Sequence, residues 1–288
     1  MKTFKTLFAA LSALAMTPAA AQLPPPEPVL PVMRPAIPLS PGKCDGAEQW
    51  ERMFEQTNVR NVTCPSLYPV LPKSGRANGK AVVVVPGGGY QFVSIEQEGF
   101  RVADALAARG YTAFVLKYRT VETPRENAAF MAAMAKLFGN LGKGELADNP
   151  PAVDDLAAAL RLVRDQAGQR GLDTGKISAI GFSAGARAAI RLLEQKDEAR
   201  LAESIALVYP PMTQVVKTGP RPPLFLAIAA DDPLFVQGKL GLVQAWLAES
   251  PKVELHLYSG GSHGFGMGIK GTTSDLWIDQ YIAWLDRH

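Results

Sequence analysis

Strand-like segments alternating with amphipathic helical segments predict an α/β fold, a mostly parallel sheet with helices on both faces. Three observations carry that expectation. Ala81 to Val85 is a continuous run of apolar, mostly β-branched residues, as a strand covered on both sides requires. The runs Lys176 to Ile180 and Leu224 to Ala229 each lead into a segment with helical spacing. The 288 residues are 47% apolar and 20% charged, enough apolar material for one sizeable core and too much for a disordered chain.

From the N-terminus, Lys2 and Lys5 precede a short apolar run, Leu7 to Met16, and then Ala19-Ala20-Ala21. This is the pattern of an export signal at 1–21, cleaved before Gln22; an uncleaved amphipathic start is the other reading. No apolar run reaches the ~20 residues of a membrane span, so no stable membrane insertion is expected. No cysteine follows the run to take a lipid anchor. Export would place the protein in the periplasm or outside the cell. In that oxidising setting Cys44 and Cys64 can pair. Closing a loop of about 20 residues stabilises by about 3 kcal/mol in the chain-entropy description. Two unpaired buried thiols are the alternative. Residues 22–56 contain a proline-rich stretch, Pro24 to Pro41, read as a linker or an arm lying on the surface.

Residues 57–288 read as one domain. Asn58 to Leu71 holds one or two early strands, and Ala81 to Val85 a strand ending at Pro86. Glu98 to Arg109 is a helix with Phe100, Ala103, Leu106 and Ala107 on one stripe and Gly110 as its stop. Thr112 to Lys117 is a strand. Pro151 to Arg170 is a long helix opened by a proline in its first turn. Lys176 to Ile180 is a strand and Ser183 to Glu194 a helix. Ile205 to Tyr209 and Leu224 to Ala229 are strands, Val236 to Glu249 a helix, Val253 to Tyr258 a strand, and Ser274 to Arg287 the closing helix. Residues 120–150 break the rhythm as an insertion after the strand at 112–117. They carry a helical pattern of their own, Ala128 to Phe138, and either overhang a site or pack outside as a spacer.

Composition narrows the function classes. Lysine plus arginine exceeds aspartate plus glutamate by only 3, so no basic face for nucleic acid is implied. Two cysteines and three histidines exclude a multi-cysteine zinc module, and no metal site is expected.

Gly181-Phe182-Ser183-Ala184-Gly185 is the sharpest motif. The letters alone are weak evidence, but the serine directly follows a strand and directly precedes a helix. A sharp turn there exposes its Oγ above the sheet, at a helix N-terminus that favours developing negative charge. A serine needs a base. His256 lies within a strand and His288 at the terminus. His263, in a glycine-flanked loop after the last strand, is the candidate. An acid must orient the imidazole. Asp232, after the strand at 224–229, is the first choice and Asp231 the second; the residue not used would cap the next turn or helix. Pro86-Gly87-Gly88-Gly89-Tyr90 can aim backbone N–H groups at an oxyanion, with Gly88, Gly89 and Ala184 as donors. This stretch lacks both the G-x-G-x-x-G spacing and the lysine of a phosphate loop.

Together with Glu98-Gly99, Tyr118-Arg119, Ala230-Asp231-Asp232-Pro233 and Ser262-His263-Gly264-Phe265-Gly266, these motifs resemble the α/β-hydrolase superfamily over residues 57–288. Within it they are similar to exported carbohydrate esterases, the acetyl-xylan-esterase and feruloyl-esterase-like proteins related to hormone-sensitive-lipase esterases. Two departures stand out. Ala184-Gly185-Ala186-Arg187 stands where many members have Ala-Gly-Gly-His, and Pro86 where many lipases have histidine.

The resemblance implies an α/β-hydrolase fold and a Ser183–His263–Asp232 acyl-enzyme mechanism with no metal or organic cofactor. The implied partner is a small-molecule or oligosaccharide ester that loses a small acyl group, acetyl first. A general short-chain esterase, a peptidase of the same fold and a non-catalytic binding protein are the other readings. Tyr90, Phe92, Tyr118, Phe130, Met131, Met212, Phe265 and Met267 can line the pocket or equally belong to the core. Oligomeric state is not legible.

Overall fold

The all-apolar run Ala81–Val85 is buried along its whole length and lies in the interior of an eight-stranded sheet. The computed structural model describes residues 24–40, 48–268 and 270–288. The segment 1–21 and Cys44 lie outside the described residues, within which no cysteine is free.

In chain order the strands are β1 (Glu27–Pro28), β2 (Ile37–Pro38), β3 (Gln49–Met53), β4 (Gln56–Arg60), β5 (Ser66–Val70), β6 (Ala81–Val85), β7 (Phe92–Val93), β8 (Thr112–Lys117), β9 (Ile177–Phe182), β10 (Ser204–Val208), β11 (Leu224–Ala229) and β12 (Val253–Tyr258). The α-helices are α1 (Arg101–Ala108), α2 (Asn127–Gly139), α3 (Pro150–Asp165), α4 (Ala184–Leu192), α5 (Pro233–Gly238), α6 (Gly241–Leu247) and α7 (Trp277–Leu285). The large sheet runs β12-β11-β10-β9-β6-β8-β5-β2. From β12 to β8 every neighbouring pair is parallel, and β5 and β2 add an antiparallel edge. The expected α/β class is therefore observed, with most strands buried on both faces. Among the described residues no helix is long and apolar enough to cross a membrane.

A second sheet, β1-β3-β4-β7, is antiparallel and was not foreseen. Its hairpin buries Glu51, Gln56, Asn58 and Arg60, so apolar periodicity does not mark it. Arg60 is held there by a bidentate pair with Glu51 (2.8 and 2.9 Å) and by the face of Phe130 at 4.3 Å. Part of the proline-rich stretch adheres to the domain: β1 pairs with β3, β2 with β5, and Arg34 pairs with Asp104 at 2.9 Å.

Three helices depart from expectation. A π-turn over Ile95–Phe100 precedes α1, so helical winding starts before Glu98 and turns that carboxyl inward. The single helix expected over 236–249 is two, α5 and α6, broken where Lys239 takes φ 50°. Gly238 there packs so closely on the backbone of Met212 and Thr213 that a Cβ would lie 2.5 Å from Thr213 N. The closing helix begins with a 3-10 turn, Thr273–Leu276, before α7.

Candidate active site

β9 ends at Phe182 and α4 begins at Ala184, leaving Ser183 alone to make the turn. It does so at φ 48° and ψ −110°, a region that L-residues seldom occupy and that persists where surroundings enforce it. Its N–H donates to Val208 O on β10 at 3.0 Å. The turn also needs bare neighbours: a Cβ on Gly185 would meet Val85 O and lie 2.6 Å from Pro86 O. The strand–turn–helix context that distinguishes the motif in the sequence is thus present.

His263 stands in the loop after β12. Its Nε2 is 2.9 Å from Ser183 Oγ, and its Nδ1 is 2.9 Å from Asp232 Oδ2. An ionised carboxylate only accepts, so Nδ1 carries the proton and Nε2 of the neutral ring is left to accept from the serine. Asp232 is fully buried, and its other oxygen accepts the Leu234 N–H at 2.8 Å, capping α5. One carboxylate therefore both meets the histidine and caps the helix. Asp231 instead accepts the Ser262 N–H at 2.8 Å and tethers the loop that carries His263. His256 remains on β12, paired to Glu254.

Gly88 and Gly89 line the same cavity as Ser183, Ala184 and His263. Gly88 takes φ 123°, and its carbonyl accepts from Gln91 and Phe92 (3.0 and 3.2 Å), which curls the turn back on itself. Tyr118 OH donates to Pro86 O at 3.0 Å and steadies the turn from below. Ala184 opens α4, and the first N–H groups of a helix have no intrahelical acceptor. This is the setting required of oxyanion donors.

Glu98 and Tyr209 are the residues that sequence reasoning missed. Glu98 Oε2 accepts the Gly87 N–H at 2.6 Å, and Oε1 accepts the Tyr209 hydroxyl at 2.6 Å. Tyr209 in turn sets its ring edge-on to His263, centroids 5.0 Å apart. Burial pushes the Glu98 carboxyl up; the bonds from Tyr209 and Gly87, and the nearby imidazole of His263, pull it back only in part. The Tyr209 phenol is pushed up as well, by burial first and by Glu98 beside it, and stays a donor. Glu98 thus joins the glycine turn to the histidine side of the site. Its place in Glu98-Gly99 was visible, but its dryness was not.

The cavity over Ser183 has a volume of about 680 Å³. Phe54 from the β3–β4 hairpin and Leu137, Phe138, Leu141 and Leu146 from the insertion form its apolar wall. The insertion overhangs the site: Leu137 bears on Gly89, and Phe138 meets Phe54 edge-on at 5.8 Å. Of the eight expected lining residues, Tyr90 and Phe92 line the cavity. Tyr118, Phe130, Met212 and Phe265 are buried in packing elsewhere; Phe130, for one, is taken by Arg60. Met131 and Met267 pack against the core from its margin.

Comparison with known proteins gives a family and a set of folds. The sequence model of the dienelactone hydrolase family matches residues 68–273. An acetylxylan esterase of Xylanibacter ruminicola is 23% identical over 72% of this chain and 45% of its own length. Gut esterase 1 of Caenorhabditis briggsae is 27% identical over 52% of this chain and 27% of its own. The chain thus spans less than half the length of either relative. Among solved structures, an acetyl ester-xyloside bifunctional hydrolase of Caldicellulosiruptor lactoaceticus superposes with TM-score 0.63 at 21% identity, covering 88% of this chain and 96% of that one. A thermophilic esterase of Thermogutta terrifontis gives 0.55 at 21% identity, covering 77% and 86%. At these identities the superpositions speak for the fold.

Proposed function

The chain belongs to the dienelactone hydrolase family, and on that premise we propose that it is a serine carboxylester hydrolase removing small acyl groups, acetyl first, from a carbohydrate or similar alcohol. The observation that carries the reading is the continuous run of contacts from Asp232 through His263 to Ser183, at 2.9 Å each.

In this mechanism Ser183 Oγ attacks the ester carbonyl while His263 Nε2 takes its proton. Asp232 holds the Nδ1–H and stabilises the imidazolium. The carbonyl oxygen becomes an oxyanion facing the N–H groups of Gly88, Gly89 and Ala184. His263 then protonates the departing alkoxide, leaving Ser183 acylated. Water, deprotonated by the same imidazole, attacks the acyl carbon; the acyl–Oγ bond breaks, His263 returns the proton to Ser183 Oγ, and the acid is released. The esterase relatives, including an acetylxylan esterase, support the acyl and sugar assignments.

The apolar cavity wall favours a second reading, a general short-chain carboxylesterase without sugar specificity. Initial rates on 4-nitrophenyl acetate, 4-nitrophenyl octanoate and acetylated xylo-oligosaccharides separate the two. The first reading expects acetate well above octanoate, and release of acetate from the sugars. Equal or faster octanoate turnover counts against small-acyl preference, and inert sugars favour the second reading. In the same proposal residues 1–21 direct export, residues 22–56 form an arm on a catalytic domain at 57–288, and Cys44 pairs with Cys64. A mature protein starting at Gln22 and lacking titratable thiols would support those assignments.

A further inference from the structure

Three parallel strands of the large sheet are each entered through a lysine: Lys80 directly precedes β6, Lys176 precedes β9 and Lys252 precedes β12. Parallel order therefore gathers them at the N-terminal edge of the sheet, opposite the edge that carries Ser183. There they line a cavity of about 370 Å³, joined by Arg287 from the end of the chain beyond α7. Lys176, Lys252 and Arg287 are exposed and Lys80 is half-buried. Ser178 and Ser204 line the same cavity. They pair in register at the starts of β9 and β10, and their hydroxyls bond at 2.7 Å, a polar step on strands that are otherwise apolar.

Little on the lining neutralises these cations. Lys80 Nζ donates to two carbonyls at the end of α7, Leu285 O at 2.7 Å and Asp286 O at 3.1 Å, which caps the helix and leaves the charge unpaired. Arg287 likewise donates to a carbonyl, Ala283 O. The Lys252 ammonium has no partner among the described residues, and Lys176 has a loose, exposed contact with Asp173 at 3.6 Å. Glu203 is the acidic side chain of the lining, and it pairs with Arg164 at 3.1 Å. Burial pulls the Lys80 ammonium below its usual range; Asp286 pushes it back up, and the Lys176 charge adds to the pull. The net charge of the whole chain is only +3, so this concentration of cations is local. A concave site lined by one sign of charge gathers counter-ions of the other.

We propose that this cavity is a binding site for a phosphate group, separate from the catalytic site. A phosphate carries nearly two charges and three strong acceptor oxygens at neutral pH, which suits several converging cations better than a single carboxylate does. Arg287 can present a fork of donors, and the lysines act as point charges around it. The phosphate can be the free ion or part of a larger molecule. The inference does not depend on the esterase reading.

The test is calorimetric titration of the full chain with inorganic phosphate and with glucose 6-phosphate, in chloride at fixed ionic strength. Saturable one-to-one binding of at least one of them is expected. Its affinity falls by about tenfold in Lys252→Gln and in Arg287→Gln, and stays as in the wild type in Ser183→Ala. Glucose 6-phosphate binding about tenfold tighter than inorganic phosphate identifies a phosphorylated organic molecule as the source; equal or weaker binding identifies the free ion. No saturation by either below about 10 mM overturns the proposal, as does an affinity unchanged in both Lys252→Gln and Arg287→Gln. An affinity lost in Ser183→Ala would put the anion in the catalytic cavity and overturn it too. Binding is read without turnover, so a chain that hydrolyses no ester yet binds phosphate this way would sink the esterase reading and leave the site standing.

Discussion

At Asp231 and Asp232 two identical side chains, one residue apart, take different partners because only one of them is turned into the protein. Asp232 meets His263 and caps α5, while Asp231 ties down Ser262. Asp232→Asn keeps the cap but puts an amide where the Nδ1–H needs an acceptor. Its kcat on 4-nitrophenyl acetate is expected to fall on the order of 10⁴-fold, against about tenfold or less for Asp231→Asn. The reverse ranking would return the acid role to Asp231. Glu98 yields a pH prediction. Its raised carboxyl means that the folded chain keeps a proton the unfolded chain has released. The stability this adds is full below the ordinary carboxylate value of about 4.3 and is lost as pH rises through the higher folded value. Glu98→Gln mimics the protonated acid and removes that decline. Glu98→Ala leaves the Gly87 N–H and the Tyr209 hydroxyl unmet, at about 1–3 kcal/mol. Urea unfolding near about pH 5 and about pH 8 checks both; equal pH slopes for wild type and Glu98→Gln contradict the assignment. Ser183 and His263 were legible because glycines around a polar residue between apolar elements are a local signal. The buried position of Glu98 was not, because burial is decided by distant segments.

At the scale of elements, the turn between β9 and α4 tolerates no side chain where α4 passes β6. Gly185→Ala would press a methyl into Val85 O and Pro86 O, both backbone atoms that cannot swing aside. We expect a loss of about 3 kcal/mol or more, or no soluble protein, read by thermal unfolding. A wild-type melting temperature would mean that the close approach is absent. The insertion sets the reach of the acyl group in the proposed mechanism, because Leu137 rests on the oxyanion turn at Gly89. Leu137→Ala is expected to raise the octanoate-to-acetate ratio of kcat/KM about tenfold. An unchanged ratio would place the acyl chain elsewhere. Helices and buried strands were legible from spacing, since apolar residues mark the faces they bury. The β3–β4 hairpin was not, because it buries Glu51 and Arg60 by pairing them. The break between α5 and α6 depends on Met212, which no local pattern around Gly238 announces.

At the scale of the molecule, strand order turns distant residue numbers into neighbours. β6, β9, β10, β11 and β12 are all parallel, so their C-terminal ends share one edge of the sheet. The glycine turn follows β6, Ser183 follows β9, Tyr209 follows β10, Asp232 follows β11 and His263 follows β12. Ligands of open α/β sheets bind at that edge for this geometric reason. The order of strand and loop was readable along the chain, and with it the convergence of serine, acid and histidine. The antiparallel second sheet, which brings Phe54 over the site, was not. The most direct measurement of the central claim is covalent capture by a fluorophosphonate, followed by peptide mass mapping. One adduct at Ser183, with labelling slowed in His263→Ala and abolished in Ser183→Ala, is the predicted result. An unlabelled protein, or an adduct on another residue that persists in Ser183→Ala, would contradict it.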